Sequence, residues 1–534
     1  MENTCKDCAY TTCARLHTYA ARKCKLSDGK PCQECVEMAL LDSQISQVHS
    51  QLVQLAHKRH ALKTKINQRH EPFIHRLPWP ISSQIFEDYV HQVHSAFDPK
   101  EASNSIYLRD WSPALFLSSI CATWRKIALA TPEIWRFINI PLLEYDPDVD
   151  VKIKLLNECV DRTGQRTLFI GVFQFQLYEN PRFSELKRKL HILEPLLDVI
   201  KTIACRSEEI RLWGVPLFAQ NLIIPTNAPN LMTVRITDFI GGFLGDEDHY
   251  YGPSNEFSLA GPLLKNLEFG YGNSLLTFCQ INWDTITTVT ISAIHVEAAI
   301  DILRQAPCLT SCSFIFEDIF KTDLDPLDTP IVNLTLEKLH IDFFHCGLGF
   351  VKKFANSVTL PSLQELSLRT SKLLHMIPLF ERSQCQLRTL TLSLYLSIPE
   401  DDVLALLGIL PSVEHFALVT SIVNAAKPII TSKFFKGLCD HRFKPSSAST
   451  KPLLPMLTSL SYTGKKDFTW PAFLKIFPPP GDVLETGRPL SEVSLKLKLP
   501  NAVIGDINVI AKLREIQQSK IKLVVTNLDG EDLL

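Results

Sequence analysis

One pattern of apolar and variable positions recurs ten times between Leu231 and Leu495: an apolar residue, two variable ones, an apolar residue, one variable, and a further apolar residue. The copies are Leu231-Val234-Ile236, Leu264-Leu267-Phe269, Ile286-Val289-Ile291, Leu309-Cys312-Phe314, Leu336-Leu339-Ile341, Leu363-Leu366-Leu368, Leu387-Leu390-Leu392, Val413-Phe416-Leu418, Leu457-Leu460-Tyr462 and Leu490-Val493-Leu495. Most successive copies lie 22 to 33 residues apart, a repeat-scale period. Successive side chains of a strand point to opposite faces, so the last two apolar positions of each copy predict a short strand with one buried face. Pro precedes several copies, at Pro229, Pro307, Pro361 and Pro411, and helical stretches such as Val296 to Gln305 and Asp401 to Leu410 lie between them. Each unit therefore reads as helix, turn and strand. None can bury its apolar edge alone, so the units are expected to stack into a curved α/β solenoid, with a parallel strand ladder inside and helices outside. A doubly wound α/β domain also alternates strands and helices, but it predicts neither ten copies of one pattern nor their bounded spacing. The polar segments Gly241 to Glu256 and Lys444 to Lys451 read as loops, and Val503 to Gln518 with Lys520 to Asn527 as a terminal helix and strand.

Nearer the start the period changes. Leu41, Ile45, Val48, Leu52, Leu55, Leu62 and Ile66 alternate by four and three, with Arg59 at the one position that breaks the seam, a short heptad pattern. Such a helix either dimerises the chain or lies along the segment that follows; because short helices are marginal without packing, the second is favoured. Ile81, Ile85, Phe86 and Tyr89, and then Leu115, Leu117, Ile120, Trp124 and Ile127, recur at helical spacing and predict two amphipathic helices. A unit of roughly sixty residues buries too little of its own surface to stand alone. It must lean on the rest of the chain or on a partner.

Those helices carry a specific set of residues. Leu77-Pro78-Trp79-Pro80-Ile81-Ser82-Ser83-Gln84-Ile85-Phe86 is followed by Ile120-Cys121-Ala122-Thr123-Trp124-Arg125 and then by Ala130-Thr131-Pro132-Glu133-Ile134-Trp135. From about His75 to Ile140 this resembles an F-box, and the chain is most similar to the F-box-like proteins with leucine-rich repeats that abound in mushroom-type fungi. The sequence departs from the family at Pro80, where an acidic residue is usual, and at Ser82, where an apolar one is. Both prolines fall in the first helical turn, where N–H groups lack intrahelical partners anyway; the missing apolar contact at Ser82 is expected to weaken partner affinity. The resemblance implies an adaptor-binding surface of Leu77, Pro78, Ile81, Ile85, Ile120, Cys121 and Trp124 for the Skp-family adaptor of a cullin-RING ubiquitin ligase. It also implies a non-catalytic substrate receptor of SCF type, with the repeats holding an unknown protein substrate. The organisation expected is a Cys-rich element over 1–38, a coiled-coil-like helix over 39–70, an F-box-like domain over 75–140 and a leucine-rich-repeat-like domain over 141–534.

Composition narrows the rest. With 534 residues, 46% hydrophobic and 21% charged, and a formal net charge of −2, no global field draws the chain to nucleic acid or anionic membrane. No secretory signal or transmembrane run is evident, which points to the cytoplasm or nucleus and to reduced thiols. Six cysteines, Cys5, Cys8, Cys13, Cys24, Cys32 and Cys35, fall in the first 35 residues. Cys5-x-x-Cys8 and Cys32-x-x-Cys35 have the knuckle spacing that aims two thiolates at one tetrahedral zinc, making these four the candidate ligands of a structural zinc; Cys13, His17 and Cys24 compete with them. The alternatives are a frayed tail and a fungal binuclear zinc cluster, whose six cysteines are spaced differently and which would make the chain a nucleic-acid-binding regulator. No cofactor is required by any motif: there is no complete phosphate loop, Gly-x-Ser-x-Gly elbow or His-Glu-x-x-His, and no catalytic residue is assigned. A repeat scaffold without ligase function stays open as well.

Between the last two apolar positions of each copy stand Arg235, Glu268, Thr290, Ser313, His340, Ser367, Thr391, Ala417, Ser461 and Ser494, which alternation directs to the exposed, concave face. Larger and charged groups gather in the earlier copies. Arg211 and Trp213 of the preceding Ile210 to Trp213 strand, with Arg235, Glu268 and His340, are therefore the candidate substrate-binding residues, Arg and Trp being common interface anchors.

Overall fold

The computed structural model describes residues 32–70, 77–95, 112–142, 149–174, 183–215, 220, 223–225, 227–237, 257–270, 275–276, 279–317, 329–344, 346–394, 398–420, 430–439, 453–477, 489–498, 506–518 and 521–534. They fall into two compact units, which divide between Ile134 and Trp135.

The first unit is helical: α1 spans Gln33–His70, α2 Trp79–Ser95, α3 Pro113–Ile120 and α4 Ala122–Leu129. Helix α2 starts where the sequence predicts, with Ile81 and Ser82 N–H groups donating to the Pro78 carbonyl at 3.0 and 3.2 Å and Pro80 harmless in the first turn. Ser112 caps α3 by accepting from the Leu115 N–H at 3.4 Å. A single residue, Cys121, joins α3 to α4; it is extended, with φ −155° and ψ 171°, and its Sγ accepts from the Trp124 N–H at 3.4 Å. The Phe86 and Trp124 rings meet with centroids 4.9 Å apart. Ser83 donates to Thr131 Oγ1 at 2.9 Å, and Thr131 donates onward to the Ile127 carbonyl at 2.8 Å, fastening α2 to the end of α4.

The second unit is built on a parallel sheet of fourteen strands whose spatial order is their sequence order, beside two short two-stranded pairs. Numbered along the ladder they are β1 Phe137–Leu142, β2 Leu168–Gln174, β3 Ser207–Trp213, β4 Thr233–Thr237, β5 Asn266–Phe269, β6 Thr288–Ile294, β7 Ser311–Phe316, β8 Lys338–Asp342, β9 Glu365–Arg369, β10 Thr389–Leu394, β11 His415–Thr420, β12 Ser459–Lys465, β13 Glu492–Lys498 and β14 Lys522–Asn527. Helices such as Val296–Gln305, Leu348–Ser357, Glu400–Gly408 and Ser432–Cys439 intervene. The order never reverses, so the ladder has no topological switch point and a doubly wound sheet is excluded. Every residue of the ten apolar triplets is buried except half-exposed Leu490. Truncating one of these leucines to Ala is the kind of change that costs about 2–5 kcal/mol.

The prolines before the triplets have a defined role. Leu231, Leu309, Leu363 and Val413 donate their N–H groups three residues back, to Ala228, Ala306, Leu360 and Leu410. Pro229, Pro307, Pro361 and Pro411 thus occupy the second position of a β-turn, where a fixed φ near −65° is already correct. Just beyond each turn one carbonyl serves two N–H groups of the next unit: that of Thr287 accepts from Thr310 at 2.9 Å and Ser311 at 3.1 Å, and that of Glu337 from Gln364 at 2.8 Å and Glu365 at 2.9 Å. Asn333, buried, does the same with a side chain, donating to Leu303 and Ala306 carbonyls and accepting from the Thr335 and Leu336 N–H groups.

Two boundaries differ from the sequence expectation. Helix α1 begins at Gln33 rather than 39. The ladder begins at Phe137, inside the span assigned to the F-box-like segment, and three strands precede the first triplet; β1 is buried on both faces and carries no alternation. The expected loops Gly241 to Glu256 and Lys444 to Lys451 lie outside the described residues.

Candidate functional site

Helix α2 carries two apolar stripes. Ser82, Phe86, Val90 and His94 recur every fourth residue and are buried, whereas Ile81 and Ile85 are 49% and 44% exposed. From α3 and α4, Leu117, Ile127 and Ala128 turn inward while Ile120 remains 40% exposed. Of the seven predicted adaptor-facing residues, Pro78, Ile81, Ile85 and Ile120 are thus exposed, Leu77 and Cys121 are intermediate, and Trp124 is half-buried against Phe86. Exposed Trp79 stands beside them in sequence and was not singled out; its place between two prolines in the first turn of α2 was the available signal.

Ser82 needs correcting. It is 2% exposed, so it belongs to the interior of the first unit and not to a partner-facing surface. Its Oγ has no hydrogen-bond partner among the described residues, so the missing apolar side chain is an internal packing matter.

On the ladder, the register aligns Arg211, Arg235, Glu268, Thr290, Ser313, His340, Ser367, Thr391, Ala417, Ser461 and Ser494 as one unbroken row across successive strands. All are partly accessible between buried neighbours. Arg211, Arg235 and Glu268 are adjacent, Trp213 lies one row further on beside Thr237, and His340 is three strands beyond Glu268. The arginines are not open contact points, however. Both reach the same carboxylate, with Glu209 Oε1 at 2.5 Å from Arg211 Nε and 3.1 Å from Arg235 Nε, and Arg235 Nη1 lies 3.2 Å from Glu268 Oε2.

Glu209 escaped the pattern because it stands outside the ten triplets, two positions before Arg211 on β3; that same-face spacing was the only clue. A second cluster also escaped it. Asp342 pairs with Arg369 at 2.9 Å and accepts from the Phe344 N–H at 2.8 Å, while the Arg369 guanidinium lies 4.3 Å from the Phe344 ring centre. This group neighbours His340 on β8 and β9.

Two buried thiols of this unit are quiet. Burial pushes Cys159 up to about 12 and raises Cys312 further, so neither supplies a thiolate near neutral pH.

Of the proposed zinc ligands, Cys5 and Cys8 lie outside the described residues; Cys32 immediately precedes α1 and Cys35 falls in its first turn. Among the described residues no group of three or more His, Cys, Asp or Glu is placed to hold a metal, and no helix is long and apolar enough to cross a membrane. No family model and no curated protein matches this chain.

Proposed function

We propose that the chain is the substrate-recognition subunit of an SCF-type cullin-RING ubiquitin ligase. The helical unit docks on a Skp-family adaptor, and the accessible face of the ladder, concave in a leucine-rich repeat, holds a protein substrate. The observation that carries this reading is the double character of α2: Phe86 and Val90 fill the interior while Ile81 and Ile85 stand in water, at the positions the F-box resemblance assigns to the adaptor. Exposed isoleucines of one helix, joined by Ile120, are costly to leave uncovered and are what a partner would cover. Such a protein contributes binding and orientation, bringing substrate to a separate conjugating enzyme.

The test is co-purification of the Skp-family adaptor with full-length chain carrying Ile81→Asp and Ile85→Asp. Both side chains are about half exposed and lie off the buried stripe, so the helices should fold as before. Adaptor capture is expected to fall at least about tenfold, since two apolar anchors are each replaced by a charge that must be desolvated. Capture at wild-type strength, with unchanged circular dichroism, would overturn the reading and leave the repeat-scaffold alternative.

A further inference from the structure

Helix α1 presents its heptad seam to solvent along its length. The seven apolar seam residues are between 46% (Ile45) and 63% (Val48) exposed. The expectation that α1 lies along the helices that follow it is therefore not met: among the described residues nothing in the first unit covers this seam. From Leu41 to Ile66 it runs for about 39 Å at 1.5 Å per residue. What matches it is written in its own charges. All its acidic residues, Glu34, Glu37 and Asp42, precede Ser43, and all its basic ones, Lys58, Arg59, Lys63, Lys65 and Arg69, follow His57.

We infer that α1 pairs with α1 of a second copy of this chain, antiparallel, so that the acidic end of each helix lies along the basic end of the other. With Ile45, Leu52, Arg59 and Ile66 at heptad position a and Leu41, Val48, Leu55 and Leu62 at d, the antiparallel register that uses the whole seam stacks Leu41 on Ile66, Ile45 on Leu62, Val48 on Arg59 and Leu52 on Leu55. Each layer then joins an a residue to a d residue, as antiparallel coiled coils require. The two Arg59 side chains meet valines and stay about 16 Å apart along the axis, their aliphatic stems covering Val48 while the guanidinium reaches water. At the flanking e positions, Asp42 faces Lys63 of the second copy, twice by symmetry.

The parallel alternative is disfavoured by the same residues. In register it would place Arg59 against Arg59 inside the seam. Its flanking g-to-e contacts would set Glu37 against Asp42 and Lys58 against Lys63, like charges in both cases.

The test is sedimentation equilibrium of the full-length protein over the micromolar range. Wild-type chain is expected to be dimeric, and Leu52→Asp with Leu55→Asp to be monomeric with its circular dichroism retained, since both leucines are solvated in the single chain. Asp42→Lys should weaken the dimer by about five- to thirtyfold, because two attractive pairs become repulsive. Combining it with Lys63→Asp should restore the dimer to within about threefold of wild type. A parallel pair predicts the reverse sign, since residue 42 would then meet Glu37 and Asp42→Lys would tighten association. A wild-type monomer throughout, or tightening by Asp42→Lys, would overturn the inference.

Discussion

Tyr462 shows how a single buried residue adds a pH dependence to the stability of the ladder. Its ring occupies the last apolar position of the ninth triplet, and its hydroxyl donates to the Lys465 carbonyl at 2.7 Å. Burial pushes its pKa up to about 12, with the nearby Asp467 charge acting in the same direction and a Thr420 contact opposing it. The unfolded value lies near 10, so the protonated phenol is stabilised by folding: its contribution is whole below pH 10 and is lost as the pH climbs toward 12. The loss is on the order of 2–3 kcal/mol. Tyr462→Phe is expected to flatten the fall in unfolding midpoint between pH 10 and 12; a profile with the wild-type slope would show that the phenol does not titrate with unfolding. Close to it, Gly464 is glycine for a local reason: a Cβ there would stand 2.0 Å from Thr420 Oγ1 and 2.8 Å from the Tyr462 hydroxyl.

At the scale of the element, legibility depended on whether a pattern had one solution. In the ladder strands it did: Leu363, Leu366 and Leu368 alternate with Gln364, Glu365 and Ser367, only one face can be buried, and the structure buries it. In α2 it did not. Apolar residues occupy two stripes, one through Ile81 and Ile85 and one through Phe86 and Val90, and helical periodicity accepts both without saying which faces inward. Ser82 was tied to partner affinity through the family resemblance alone, whereas its spacing of four from Phe86 puts it on the buried stripe. Strand β1 was missed for another reason, since Asn139 and Pro141, residue types that strands disfavour, break its apolar run although both are buried. In β2, Gly171 left a blank in the row because Asn139 Oδ1 of the neighbouring strand already lies 2.5 Å from where a Cβ would be. The α2 assignment makes a prediction of its own. Because the Ser82 hydroxyl is buried without a partner among the described residues, Ser82→Ala should stabilise the helical unit by about 1 kcal/mol and leave adaptor capture unchanged. A lower unfolding midpoint, or altered capture, would count against an inward-facing Ser82.

For the molecule as a whole, one row of the ladder's accessible face is graded. It begins with Arg211, Arg235 and Glu268 on β3 to β5, tied by ion pairs that include Glu209, and passes to serines, one threonine and an alanine on β9 to β13. Charge reversal at Arg211 would therefore disturb Glu209 and Arg235 together, so a substrate contact there is better sought by pairing each substitution with one at Glu209. The other end is the simpler place to cut. Strand β14 touches the sheet through β13 alone, so deletion of residues 521–534 should leave amide-exchange protection in β1 to β12 intact and reduce it in β13; protection lost throughout would show long-range cooperativity instead. The sequential strand order has a consequence for synthesis too. Every rung finds its partner in the chain that emerged just before it, so no strand has to wait for a distant segment. The ladder can be laid down in the direction of translation, each newly exposed apolar edge covered by the next unit to leave the ribosome.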